Sequence, residues 1–244
     1  MKKFGLSIVL ASALSMGANA ACISNNTCYI GEAGVGGFYS GFGGNNDASA
    51  NAYGGYFKIA YDGVYRNRFL WGNEVAVGGG MLNVSGAALS GIAQSSGYFN
   101  YEILIKLGLN VSSVRAPLFV KVQVGLDNIE NKGSLNRDLF YTGLELDGRV
   151  PLSSRVGLDY NLRYGWIFAG GYNFGNSANS FLTGYNHRIQ ASLGFDVKMT
   201  ENTAFYLRAV GRYYGLQNST AVNNVSYPVA NGYSAGLELG FKGI

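Results

Sequence analysis

One feature constrains this chain more than any other: a period-two alternation of apolar and polar residues that recurs from Glu32 almost to the last residue. It is clearest between Tyr98 and Asp127. Phe99, Tyr101, Ile103, Ile105, Leu107, Leu109 and Val111 occupy one parity, and Asn100, Glu102, Lys106, Gly108 and Asn110 the other, broken only by Tyr98 and Leu104. After a short turn the pattern resumes, with Leu118, Val120, Val122, Val124 and Leu126 against Lys121, Gln123, Gly125 and Asp127. Strand side chains alternate between two faces, so this stretch predicts a hairpin with one apolar and one charged face. A soluble sandwich gives the same alternation. The number of repeats and their spacing separate the two.

Ten such segments follow one another: residues 32–43, 52–62, 68–84, 98–111, 118–127, 139–150, 155–168, 186–198, about 203–212, and 232–242. Their connections alternate in length. Residues 63–67, 112–117, 151–154 and 199–203 are short, whereas 44–51, 85–96, 128–138, 169–185 and 216–231 are longer and rich in Asn, Ser and Gly. Tight turns at one end and longer loops at the other, around an even number of strands of about ten residues, are the layout of a transmembrane antiparallel up-and-down β-barrel. Ten strands are expected, with eight as the alternative count. The apolar parity carries large aliphatics along its length. Aromatics gather near its ends, with Phe99, Tyr101, Trp166 and Phe168 toward the loops and Phe69, Trp71, Phe195, Phe205 and Phe241 toward the turns, as two interfacial belts require. Glycine is 37 of 244 residues, Tyr 18 and Pro 3, about twice the usual glycine share of about 7% and compatible with a large twisted sheet.

The same parity assigns an interior. Glu32, Asp62, Glu74, Glu102, Asp127, Glu145, Asp147, Asp159, Asp196 and Glu238 point inward, opposite Lys58, Lys106, Lys121, Arg149, Arg163, Arg188, Lys198, Arg208, Arg212 and Lys242. Buried charges persist only when paired and hydrogen-bonded, so the even balance predicts a cross-lumen salt-bridge network. A ten-stranded barrel is only slightly wider than an eight-stranded one that its side chains fill. The network is therefore expected to plug the lumen or leave a narrow path for small ions or solutes.

Residues Met1 to Ala20 read as a cleaved secretory signal: Lys2 and Lys3, an apolar run from Leu6 to Leu14, and Ala18-Asn19-Ala20 as a small-x-small cleavage site. Without Lys2 and Lys3 the formal charge falls from +4 to +2, which argues against nucleic acid as a partner. Residues 21–31 form an N-terminal periplasmic segment, and 32–244 the barrel. Cys22 and Cys28, the only cysteines, lie just after the cleavage site and in an oxidising compartment predict a small disulfide loop. They lack the companions of a metal site, and no metal or cofactor is expected.

The last segment resembles the C-terminal assembly signal of Gram-negative outer-membrane β-barrel proteins, in Ser234, Gly236, Leu239 and Phe241. In that family the aromatic usually ends the chain, whereas Lys242-Gly243-Ile244 follow here. The resemblance implies an outer-membrane location, contact with lipid and lipopolysaccharide, and handling by the barrel-assembly machinery; a monomer is expected. Two families of barrel enzymes can be tested on His187, the sole histidine. Omptin-type proteases need Asp two residues before the catalytic His, where Tyr185 stands. Barrel lipid A deacylases need Ser two residues after, where Ile189 stands. His187 reads as a rim residue and the chain as no enzyme. Gly34-Val35-Gly36-Gly37 lies within a strand pattern with no following helix, so it is no phosphate loop. Gly78-Gly79-Gly80 predicts a bend or bulge. The expected role is structural or small-porin-like. The alternative is a surface adhesin, or a protein contacting host or lipopolysaccharide, acting through uncharged loops that hold Tyr172, Phe174, Phe181, Tyr185 and Tyr227.

Overall fold

The computed structural model describes residues 20–24, 26–44, 49–85, 95–131, 135–174, 179–220 and 230–243. The expected signal peptide, residues 1–19 of it, lies outside them. The described residues form β1 (Ala20–Ser24), β2 (Thr27–Gly44), β3 (Ser49–Tyr65), β4 (Phe69–Ser85), β5 (Ser95–Asn110), β6 (Leu118–Asn131), β7 (Leu135–Pro151), β8 (Val156–Phe174), β9 (Asn179–Phe181), β10 (Asn186–Lys198), β11 (Thr203–Leu216) and β12 (Ala230–Gly243). Ten of these close into one antiparallel barrel, in the order β2-β3-β4-β5-β6-β7-β8-β10-β11-β12, with β12 paired to β2. Closure pairs every strand edge, the condition for crossing a bilayer with sheet.

β1 and β9 stand outside the wall. β1 folds back on the start of β2, which begins at Thr27 rather than Glu32, and the register sets Cys22 opposite Cys28. β9 folds back on the end of β8. The strands run further into the expected loops than alternation suggested, because the backbone ladder continues where side-chain patterning fades. β6 reaches Asn131, β7 starts at Leu135, and β8 continues to Phe174. At the other end the turns are tight. Arg66 and Asn67 both take positive φ (51° and 55°) between Tyr65 and Arg68, the backbone twist that a two-residue hairpin needs.

Facing follows parity. Ile105 is 63% exposed on the outer wall while its neighbour Leu104 is wholly buried inside. Val35, Val75, Ile103, Leu107, Val122, Val124, Leu144, Leu162, Leu193, Leu207 and Leu237 are likewise exposed, an apolar band far larger than a water-facing surface tolerates. It is flanked by rings: Tyr39, Tyr53, Phe99, Trp166, Phe168 and Tyr233 toward the loop end, Tyr65, Phe69, Phe195 and Phe241 toward the turn end. His187 sits among outward rings near the loop end, with centroids at 5.6 Å from Tyr185, 5.9 Å from Tyr213 and 6.4 Å from Tyr164.

Two details of the wall differ from expectation. Gly78-Gly79-Gly80 makes no bulge, since β4 pairs with β3 and β5 without a register shift. These positions instead let the neighbouring backbones approach closely: a Cβ at Gly78 would lie 2.7 Å from the Gly55 carbonyl oxygen, and one at Gly79 2.7 Å from that of Tyr98. The bulge lies on β8, where Phe140 pairs with Ala169 and Tyr141 with Ile167. The extra residue, Phe168, reverses the parity beyond it, and so Tyr172 turns inward and is buried.

Candidate functional site: a lumen in two halves

The interior splits along the barrel axis. The half nearer the turns holds ion pairs, and the half nearer the loops holds apolar side chains around a cavity. Of the charges that parity assigns to the lumen, Lys58, Glu74, Glu102, Lys106, Lys121, Glu145, Asp147, Arg149, Asp159, Arg163, Arg188, Asp196, Arg208, Arg212 and Glu238 engage in ion pairs. Glu32, Asp62, Asp127 and Lys242 join them. Lys198 does not. It ends β10 at the turn rim, exposed, and makes no ion pair among the described residues.

Four clusters are distinguishable. Nearest the turns, Asp196 is gripped by Arg149 through Nε (2.7 Å) and Nη2 (2.6 Å) and by Lys242 at 2.9 Å, and Lys242 also meets Asp159. Along one wall, Lys58 bridges Glu32 (2.7 Å) and Glu238 (2.6 Å), with Arg208 on Glu32 at 2.8 Å. Tyr56 and Tyr206 each donate a hydroxyl to Glu238, at 2.7 and 3.0 Å. The inner face is glycine-lined there because the rings lie flat on it: a Cβ on Gly34 would lie 2.1 Å from the Tyr206 hydroxyl.

The third cluster spans the lumen. Arg163 of β8 donates through both terminal nitrogens to Glu74 of β4, at 2.9 and 2.7 Å, and its Nε lies 3.1 Å from Glu145. Three strands, β5 to β7, separate β4 from β8 along the shorter arc. Lys121 completes it, 3.1 Å from Glu145 and 2.7 Å from Asp147, with Lys106 at 3.3 Å from Glu74.

The fourth lies midway. Glu102 of β5 meets Arg188 at 2.7 Å and Arg212 of β11 at 3.2 Å, and accepts the Tyr141 hydroxyl at 2.6 Å. Four strands lie between β5 and β11 either way round, so this bridge runs along a diameter. Asp127 continues it toward the loops, paired with Arg137 at 3.2 Å and accepting the Tyr214 hydroxyl at 2.5 Å. Arg137 falls within the expected loop 128–138; the extension of β7 brings it inside, where it lies over the rings of Tyr214 and Phe42.

The loop half corrects the expectation of a lumen filled throughout by charge. Ala50, Ala52, Leu82, Val84, Tyr98, Leu139, Ile167, Tyr172, Tyr214 and Leu216 form one buried cluster, against which Phe38, Phe42, Ile129 and Leu182 pack. The signal was present in the sequence: near the loop ends of β3 and β4 the inward parity turns from charged to apolar, in Ala50 and Ala52 before Tyr53 and in Leu82 and Val84 after Met81. A cavity of about 120 Å³ lies here, walled by Phe38, Phe42, Ala52, Leu82, Val84, Val210 and Leu216, with Glu102 and Arg212 among its polar lining.

Near the loops, Leu182 bridges Ser219, Thr183 N–H donates to the Asn218 carbonyl (2.9 Å) and Thr220 N–H to that of Phe181 (2.7 Å). The segment after β8 is thereby tied to the segment after β11, with Phe181 and Tyr185 exposed. Among the described residues no cluster of His, Cys, Asp and Glu is suited to a metal ion, and none of the cysteines there is free.

No protein family and no curated protein matches the sequence. Solved structures do match. The outer-membrane protease OmpT of Escherichia coli superposes with a TM-score of 0.61 at 9% identity, over 91% of this chain and 98% of that one. The transport unit of the autotransporter AIDA-I from E. coli gives 0.47 at 11% identity, over 97% and 96% of the two chains. The translocator domain of NalP from Neisseria meningitidis gives 0.45 at 14%, over 97% and 94%. At such identities the likeness concerns the fold. The chain is a closed ten-stranded antiparallel β-barrel whose structural neighbours are Gram-negative outer-membrane barrels.

Proposed function

We propose that this chain is an integral outer-membrane protein of a Gram-negative bacterium, serving as a small structural barrel closed to solutes. The observation that carries this role is the pair of salt bridges across the lumen, Glu74–Arg163 and Glu102–Arg212. Each joins opposite walls, and the space between is taken by the guanidinium and carboxylate groups themselves. A porin-like path would need these pairs to part in a site where unpaired charges are costly. Export through the cleaved signal of residues 1–20, a Cys22–Cys28 disulfide, recognition of Ser234, Gly236, Leu239 and Phe241 by the assembly machinery, and a monomeric state in contact with lipid and lipopolysaccharide belong to the same proposal. No catalytic role is assigned, since His187 faces the lipid side among tyrosine rings.

Efflux of radiolabelled arabinose from proteoliposomes tests closure. Retention equal to that of protein-free vesicles, from protein whose gel mobility shifts on heating, supports it. Rapid efflux refutes it. A second role, contact with sugars or proteins outside the cell, is favoured by the tie between the segments after β8 and β11, which presents Phe181 and Tyr185. Cell adherence unchanged on deletion of residues 179–183 would remove that role.

A further inference from the structure

We propose that the loop half of the lumen is a binding site for a small monocarboxylate with an apolar body. Two independent features carry this beyond the structural role above. The first is the cavity, whose apolar wall includes Phe38, Phe42, Ala52, Leu82, Val84 and Leu216, with Arg137 and Arg212 set against Asp127 and Glu102 in its polar lining. Its volume of about 120 Å³ is close to that of engineered apolar cavities, about 150 Å³, that stay dry and take up benzene. Apolar voids of this size lose dispersion contacts on every side, and an apolar guest restores them.

The second feature is Arg212. A guanidinium carries five N–H donors in a planar fork, yet Arg212 has one close acceptor, a single Glu102 oxygen at 3.2 Å. The other Glu102 oxygen is held more tightly, by Arg188 at 2.7 Å and the Tyr141 hydroxyl at 2.6 Å. Arg212 is also the more open of the two arginines, its side chain 22% exposed against 4% for Arg188, and it lines the cavity. A strong donor set at the polar end of an apolar cavity matches an amphiphile whose carboxylate accepts from the guanidinium and whose tail fills the space above. Carboxylate recognition of this sort is charge-assisted and directional, so an uncharged head of the same shape binds less well.

The test uses the full-length protein in phosphatidylcholine nanodiscs, with 4-phenylbutyrate as probe and 4-phenylbutan-1-ol as its uncharged counterpart. Calorimetric titration should give saturable binding of one phenylbutyrate per barrel and weaker binding of the alcohol. Arg212→Gln should weaken phenylbutyrate by at least about ten-fold, the scale of a lost charge-assisted hydrogen bond, and leave the alcohol unchanged. Ala52→Phe, which fills the cavity and keeps Arg212, should weaken both. Heat-modifiable gel mobility reports folding of each variant, and should Arg212→Gln fail to fold, Ala52→Phe and the choice between the two probes still decide. Absence of saturable binding to the wild type, or equal affinity in wild type and Ala52→Phe, would mean partition into the bilayer only and would overturn the proposal.

Discussion

Replacing Arg163 by methionine tests the plug where it is densest. The side chain is buried, makes two hydrogen bonds to Glu74 at 2.9 and 2.7 Å, and brings Nε to 3.1 Å from Glu145. Methionine of similar length keeps the packing and removes the charge, leaving two carboxylates facing the vacated space. Removing one partner of a buried pair costs about 3–5 kcal/mol. Lys106 remains 3.3 Å from Glu74 and Lys121 3.1 Å from Glu145, so the expected loss is at the lower end, about 3 kcal/mol. Glu74→Gln in the same background removes the stranded charge, and replacing a whole buried pair is often nearly neutral. The double variant should therefore lose less than the sum of the single variants, with a coupling of about 2 kcal/mol. Urea unfolding of the four proteins in lipid vesicles, followed through Trp71 and Trp166, measures the cycle. A loss below about 0.5 kcal/mol for Arg163→Met, or single losses additive within the usual ~0.5 kcal/mol, would show that Arg163 and Glu74 do not meet in a buried site.

Ile105→Arg should cost about 2–4 kcal/mol in the same unfolding assay, the expense of a cation on the lipid face near the midplane; a cost near zero would move Ile105 off the lipid face. Leu104→Ala, one residue away and facing inward with no exposure, should cost about 2–5 kcal/mol through the void it leaves, and a loss below that range would place Leu104 outside the packed interior. Phe241→Ala should lower the amount of protein in outer-membrane fractions, because Phe241 is exposed on the closing strand, 5.7 Å from the Phe205 ring; unchanged amounts would reject its part in assembly. Alkylation of the denatured mature protein should label Cys22 and Cys28 only after reduction, and labelling without reductant would reject the disulfide.

The barrel was legible in the sequence because one constraint acts on every strand. A lipid-facing wall must be apolar at each second residue, so the parity of Ile103, Ile105 and Leu107 and the charges of Lys58, Glu74, Glu102 and Arg163 carry the strand count and the facing together. The ends of the strands were less legible. Lipid no longer selects side chains there, so Ser95 and Ser96, and Arg137 and Asp138, read as loop although their backbones continue the ladder. That is why Arg137 was missed. The bulge at Phe168 hid Tyr172 for another reason: a single extra residue inverts every facing beyond it, and no local residue type announces it. Tyr98 and Leu104 looked like breaks in the pattern. They are interior apolar residues, and with Leu82 and Val84 they mark the half of the lumen that is not built from charge.

Closure of the lumen is the central claim, and single-channel recording in planar bilayers tests it most directly. Protein shown to be folded by its gel mobility should give no steady openings, because Glu74–Arg163 and Glu102–Arg212 hold the space between opposite walls. Stable openings whose ion selectivity shifts when Arg163 or Glu102 is neutralised would contradict the account and establish a pore lined by those charges.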